Sequence, residues 1–370
     1  MSSVNNWPDW LPLRDPLKPM LPYGAPQVAA SAQLNTNENP FAPSSALVAA
    51  IAKRVGEVSA TLNRYPDRDA IALRAGLAKY INAQSNSKFE VANLWAANGS
   101  NEIIQSIFLA FGRTSALGFT PSYSMHPLIA KVTGVSWIDG KRCADFSLDV
   151  AVAVAEVLTT KPALTFVTTP NNPTGTSVSL AELTELAKAT AKVGGLLVVD
   201  EAYAEFSAEP SAVTLISQYP NVIVIRTMSK AFAFAGARLG YLVADPKVID
   251  ALQLVRLPYH LSAITQAVAE VALSFADELL AGVDTLIAQR EIVSSALIEL
   301  GLSVTPSAAN FLLFAGLNQP ANVIWQKLLD RGILIRDVGL LGQLRVTIGT
   351  AAENQAFLIA LADVLQEGEK

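Results

Sequence analysis

Cysteine is nearly missing from this chain: 370 residues include Cys143 alone. That excludes an intrachain disulfide and a thiolate metal cluster. Histidine is almost as scarce, with only His126 and His260, so no multi-histidine metal centre is expected. Charged residues make up 16% and sum to -5, which leaves no basic footprint for nucleic acid. Although 51% of the residues are hydrophobic, no apolar run approaches the ~20 residues of a membrane-spanning helix. The hydrophobicity is therefore read as a large core plus a subunit interface. Internal repeats and low-complexity tracts are also absent. The opening residues, with Asp9, Arg14, Asp15 and several prolines, match neither a signal peptide nor a transit sequence, so a cytoplasmic location is expected.

What remains is a chain long enough for two cores. Residues 1–40 carry Pro8, Pro12, Pro16, Pro19, Pro22 and Pro26 and read as an extended arm. Residues 41–276 alternate helices with buried strands. Ala46–Ala52 and Asn101–Phe111 have helical character, while Leu94–Ala97, Ala163–Val167, Leu196–Val199 and Val222–Ile225 read as strands. That alternation predicts an α/β fold with a mostly parallel sheet covered by helices on both faces. Residues 277–370 form a smaller α+β unit: a helix at Leu279–Leu300, then short strands at Phe311–Phe314 and Gln343–Ile348.

Four segments at the ends of these strands carry chemistry. Lys230, in Thr227-Met228-Ser229-Lys230-Ala231-Phe232, sits among apolar and small residues with Arg238 following in Gly236-Ala237-Arg238. Desolvation and a neighbouring cation lower an amine's pKa from ~10.4 toward neutrality and make it nucleophilic. Asp200 closes the aliphatic run Leu196-Leu197-Val198-Val199, which delivers a carboxylate to the carboxyl edge of a sheet, where open α/β folds bind ligands. A carboxylate so placed demands a cationic partner. Upstream, Thr168-Thr169-Pro170-Asn171-Asn172-Pro173 is a stiff loop that aims the Asn172 amide. Asn98-Gly99-Ser100-Asn101-Glu102 suits a phosphate cradle at a helix start, where glycine permits close approach and free amides face the anion. It equally suits a plain helix cap with acidic residues in its first turn.

Asn172, Asp200, Tyr203, Lys230 and Arg238, in this order and in these contexts, resemble fold-type-I aminotransferases that use pyridoxal 5′-phosphate. The resemblance implies a large cofactor-binding domain, a smaller C-terminal domain and catalytic Lys230, Asp200, Tyr203 and Asn172. Lys230 would join the cofactor's aldehyde and then move protons, Asp200 would keep the ring nitrogen protonated, and Asn172 and Tyr203 would hydrogen-bond the phenolic oxygen. Gly99, Ser100, Asn101, Ser229 and Arg238 would hold the phosphate, and Tyr123 would stack on the ring. His126 is given a structural part, because the lysine already supplies a base. No metal is implied.

Leu34-Asn35-Thr36-Asn37-Glu38-Asn39-Pro40, Leu62-Asn63-Arg64-Tyr65-Pro66-Asp67, Arg336-Asp337 and Leu344-Arg345-Val346 are similar to the histidinol-phosphate aminotransferase branch. That likeness spans Tyr23 to Gly349. It implies amino transfer between L-histidinol phosphate and 2-oxoglutarate, giving imidazole acetol phosphate and glutamate in histidine biosynthesis. Substrate-binding residues would be Tyr23, Asn37, Tyr65, Asn172, Arg336 and Arg345, with Tyr65 contributed across a homodimer interface. Arg345 would receive the phosphate of one substrate and a carboxylate of the other. The arm is longer and richer in proline than in many relatives, and His126 beside the stacking tyrosine is a further departure. Aromatic amino acid aminotransferases share nearly every motif, and phosphoamino-acid decarboxylases share the scaffold, so both stay open. A regulator with an aminotransferase-like domain would need a helix-turn-helix segment ahead of the fold, which the first ~40 residues do not hold.

Overall fold

The computed structural model describes residues 7–367. At its centre is a seven-stranded sheet whose spatial order is Leu94–Ala97, Gly240–Val243, Val222–Thr227, Leu196–Asp200, Leu164–Thr168, Ser115–Thr120 and Ser136–Lys141. All strands run parallel except Gly240–Val243, which is antiparallel to both neighbours. The mostly parallel α/β expectation is met. The sequence patterns had left the antiparallel strand unassigned, and with it the parallel strands Ser115–Thr120 and Ser136–Lys141.

Burial explains why these segments are strands. Val222–Thr227 and Leu164–Thr168 are buried at every position, as required when helices cover both faces of a sheet. Successive side chains point to opposite faces. Val222, Val224 and Val243 thus enter one core, with Leu197 and Val199, while Ile223, Ile225, Leu242 and Val198 enter the other, with Ile103, Ile107 and Phe108 of the helix Ser100–Phe111.

A second, antiparallel sheet of Leu344–Thr347, Phe311–Ala315 and Ser303–Val304 follows the long helix Ala276–Glu299. The arm proves less free than its prolines imply. Asp15–Leu17 forms a 3-10 turn, and Ala32–Gln33 pairs in parallel with Ile333–Leu334, with Leu34 N donating to Leu334 O at 2.7 Å. The arm's end is tied to the C-terminal unit because Ala32 and Leu34 bury their side chains there, a long-range pairing that no local periodicity reveals.

Parallel strands place all their carboxyl ends on one edge. Gly99 to Asn101, Ser122 and Tyr123, Asn172, Asp200 and Lys230 each lie at or just beyond such an end. Arg238 precedes the one antiparallel strand, so reversal of direction returns it to the same edge. Among the described residues no helix is long and apolar enough to cross a membrane.

Candidate active site

A cavity of about 630 Å³ opens at this edge. Its walls bring together Tyr23, Asn37, Ser100, Asn101, Tyr123, Asn172, Asp200, Tyr203, Ser229, Lys230, Arg238, Arg336 and Arg345, residues spread over more than three hundred positions of sequence.

Lys230 lies partly buried at the centre, and its Nζ donates to the Thr36 carbonyl at 2.8 Å. Its pKa falls to about 8, first through burial and then through Arg345, with Arg238 a smaller contribution and Glu38 opposing. The sequence pointed to Arg238 as the flanking cation; the fold makes Arg345 the stronger one, because Leu344–Thr347 carries its guanidinium into the same cavity. Such a pairing across 115 positions leaves no mark in local sequence.

Asp200 is 2% exposed, and its Oδ2 lies 3.0 Å from His126 Nε2. His126 is thus the protein's own partner for the acid, a bracing contact consistent with the structural part assigned to it. Tyr123 lines the cavity and lies edge-on to the buried His126 ring, with centroids 5.4 Å apart. Tyr123 donates to Asn101 Oδ1 at 3.1 Å, and burial raises its phenol pKa.

Tyr203 is buried, with its pKa raised mainly by desolvation. Its hydroxyl accepts from Asn37 Nδ2 at 2.9 Å and from Asn172 Nδ2 at 3.4 Å. Asn37 also accepts from Thr347 Oγ1 through Oδ1 at 3.0 Å. The Asn37 carboxamide is thereby spent on fixing Tyr203, although the residue lines the cavity. Asn172 Oδ1 in turn accepts from Arg345 Nη1 at 2.6 Å. Neighbouring Asn171 is wholly buried and holds the loop itself through Ser122, Thr174 and the Pro121 carbonyl.

The helix Ser100–Phe111 begins at Gly99 with φ +82 and no side-chain cap. Glu102 lies in the first turn, as the cap reading has it, and accepts from Asn98 N at 2.6 Å and Asn98 Nδ2 at 2.8 Å. The first backbone amides of the helix thus face the cavity edge, with the helix dipole favouring an anion. A Cβ on Gly99 would lie 2.7 Å from Arg238 Nη2. A Cβ on Gly240 would lie 2.5 Å from the Gly99 and Ser100 backbone. Glycine is needed at both points because arginine and backbone converge there. Ser229 adds a hydroxyl, ordered by Thr227 at 3.0 Å.

At the opposite wall, burial lowers Arg345 to about 10. Its Nη2 donates to the Asn35 carbonyl at 2.7 Å, but its buried Nε and the buried Nη1 of Arg336 have no partner in the protein. Unpaired guanidinium donors in a cavity wall suit an oxyanion. Tyr65 stands apart: it is 79% exposed and does not line its own chain's cavity. Among the described residues no group of acidic, histidine and cysteine side chains could hold a metal ion.

A parallel sheet whose carboxyl edge sets an amine of lowered pKa between a buried acid, an anion-binding helix start and an unpaired arginine wall defines a pyridoxal-phosphate enzyme of fold type I. The chain belongs to the class I and II aminotransferase family, whose model matches residues 31–361. It is 57% identical over 357 residues to the histidinol-phosphate aminotransferase of Mycolicibacterium smegmatis, covering 96% of this chain and 93% of that one. With the histidinol-phosphate aminotransferase of Nocardia farcinica it shares 57% identity over 95% of this chain and 91% of the other. The crystal structure of histidinol-phosphate aminotransferase from Sinorhizobium meliloti in complex with pyridoxal-5′-phosphate superposes with a TM-score of 0.81 at 26% identity, covering 92% of each chain.

Proposed function

We propose that this aminotransferase exchanges an amino group between L-histidinol phosphate and 2-oxoglutarate, yielding imidazole acetol phosphate and glutamate in histidine biosynthesis. One observation carries the reading: two arginines with unpaired buried donors, Arg336 and Arg345, line the same cavity as the amine-bearing lysine. Relatives named for this activity at 57% identity support it.

The cavity residues fit pyridoxal phosphate. The Gly99 to Asn101 helix start, Ser229 and Arg238 would hold its phosphate, Tyr123 would lie against its ring, and Asp200, braced by His126, would meet its ring nitrogen. Asn172 and Tyr203 would meet its phenolic oxygen. When bound, the cofactor supplies an aldehyde for amino exchange and an electron sink for the bonding pair left on the substrate carbon. Lys230 would hold the cofactor's aldehyde carbon at rest and, as a free amine, would serve as base and acid beside the amine-bearing carbon of the substrate. A pKa of about 8 suits both directions, since the amine neither holds nor refuses a proton strongly near neutrality. Arg345 receives the phosphate in one half-reaction and a glutamate carboxylate in the other, its planar fork matching either oxyanion.

The working unit is a homodimer in which Tyr65 enters the neighbouring subunit's site. Its 79% exposure leaves the ring available to a partner surface, which supports this reading. Residues 1–40 serve as the arm, 41–276 as the cofactor domain and 277–370 as the small domain.

Steady-state kinetics test the substrate. Histidinol phosphate should exceed phenylalanine and tyrosine in kcat/KM by roughly 100-fold, the discrimination that a charge-assisted anion contact supplies. A preference for phenylalanine would assign the enzyme to aromatic substrates.

A further inference from the structure

Arg226 is the one charged residue in the buried strand Val222–Thr227, a few positions before Lys230, and its side chain is 5% exposed. Its guanidinium bridges two carboxylates of a single turn. Nη1 donates to Glu201 Oε2 and Nη2 to Glu205 Oε1, each at 2.8 Å, and both glutamate side chains are as buried as the arginine. Glu201 directly follows Asp200, and Glu205 stands just beyond Tyr203, so the fork spans the turn that carries both groups. The carboxylates are tied on their other sides as well. Glu201 accepts from Ser211 Oγ and from Ala212 N, each at 2.6 Å, and Glu205 accepts from the Tyr80 hydroxyl at 3.4 Å. Tyr80 in turn packs edge-on against Phe232, close after Lys230, with centroids 5.2 Å apart. Arg226, Glu201 and Glu205 all lie behind the cavity rather than in its wall. A buried ion pair adds little net stability over apolar packing of similar volume, so what this one supplies is the geometry that its planar fork imposes.

We propose that Arg226 is a positioning residue: by holding Glu201 and Glu205 it sets the turn so that the Tyr203 hydroxyl stands where the cofactor's phenolic oxygen would lie. The inference rests on the reading that gives Tyr203 that partner. Little slack is available. Asn37 and Asn172 hold the hydroxyl from the cavity side at 2.9 and 3.4 Å, and a bond as long as the second is lost with a small drift. A hydroxyl donating to the phenolic oxygen draws off negative charge that would otherwise keep a proton on the Lys230 nitrogen joined to the cofactor. Drift of the turn therefore raises the pH midpoint at which the bound cofactor's absorbance changes.

Spectrophotometric pH titration of the holoenzyme tests this. Tyr203→Phe should raise the midpoint by roughly 1 unit and Arg226→Lys by roughly 0.5, the sizes of a hydrogen bond lost and one weakened. Lysine keeps the charge but cannot span both carboxylates. Glu205→Ala, in which Arg226 stays paired with Glu201, should also raise the midpoint, and it serves where the lysine variant fails to fold. Its sign is decisive, since mere removal of a negative charge would lower the midpoint. Glu205→Gln, whose amide oxygen still accepts from Nη2, should stay near the parent value. The double variant Tyr203→Phe with Arg226→Lys should match Tyr203→Phe alone, because the route through the hydroxyl is gone. Arg345, Asp200, Tyr23 and Lys230, the other titratable groups around Tyr203, are unchanged in every variant. Additive shifts in the double variant, a lowered midpoint in Glu205→Ala, a shift in Glu205→Gln as large as in Glu205→Ala, or parent midpoints in both Arg226→Lys and Glu205→Ala overturn the proposal and leave the Tyr203 reading standing. An unmoved midpoint in Tyr203→Phe removes that reading, and this inference falls with it.

Discussion

Lys230 concentrates the chemistry because two influences act on one amine: burial, and Arg345 across the cavity. Its depressed pKa fixes a pH dependence. In the cofactor-free protein the rate of amine labelling at Lys230 should rise with pH through a midpoint near 8 and level off above it; Arg345→Met should move that midpoint upward. Linkage gives the companion effect. Between about 8 and the ordinary 10.5 the unfolded chain binds a proton that the folded chain lacks, so this group makes stability rise with pH across that window, its penalty being complete below 8. Labelling that follows an ordinary surface lysine would contradict the buried, arginine-flanked site. Asp200 makes a second residue-level case. Asp200→Asn conserves shape and removes charge, so kcat should fall roughly 100-fold or more while the bound cofactor's absorbance persists; near-normal turnover would remove its role at the ring nitrogen. Lys230, Asp200 and Asn172 were legible because each terminates a local pattern, an aliphatic strand or a proline-stiffened loop. The His126 contact and the primacy of Arg345 were not, since each depends on elements that meet only in the folded chain.

At the scale of elements, the phosphate edge depends on how closely the helix Ser100–Phe111 approaches the antiparallel strand Gly240–Val243. Glycine at 240 leaves room for the Gly99 and Ser100 backbone, and neither segment can yield without moving the amides aimed at the anion. Gly240→Ala should therefore cost roughly 1–3 kcal/mol of stability, as overpacking against backbone does, and weaken cofactor retention; thermal melting with and without pyridoxal phosphate checks both. An unchanged Tm in both states would mean that the approach is loose. The strands Leu164–Thr168, Leu196–Asp200 and Val222–Thr227 were readable from their apolar runs and lie within a few residues of their expected places, whereas the parallel strands Ser115–Thr120 and Ser136–Lys141 were not expected from the sequence. The antiparallel strand and the Ala32–Gln33 pairing with Ile333–Leu334 escaped, the first being short and glycine-led, the second two residues long and stabilised wholly by contacts distant in sequence.

At the scale of the whole molecule, Tyr65 is the residue that a single chain leaves without a site. Mixing Tyr65→Ala with Lys230→Ala subunits should give, in each heterodimer, one doubly defective site and one intact site, restoring up to about half of a normal dimer's activity. Proven subunit exchange without recovery would confine Tyr65 to its own chain. The measurement closest to the central claim follows the nitrogen itself. Holoenzyme given glutamate labelled with nitrogen-15 and imidazole acetol phosphate should place the label on histidinol phosphate, one equivalent for each 2-oxoglutarate formed, as read by NMR. Absence of label transfer, or carbon dioxide released from an amino acid with no keto acid needed, would contradict it.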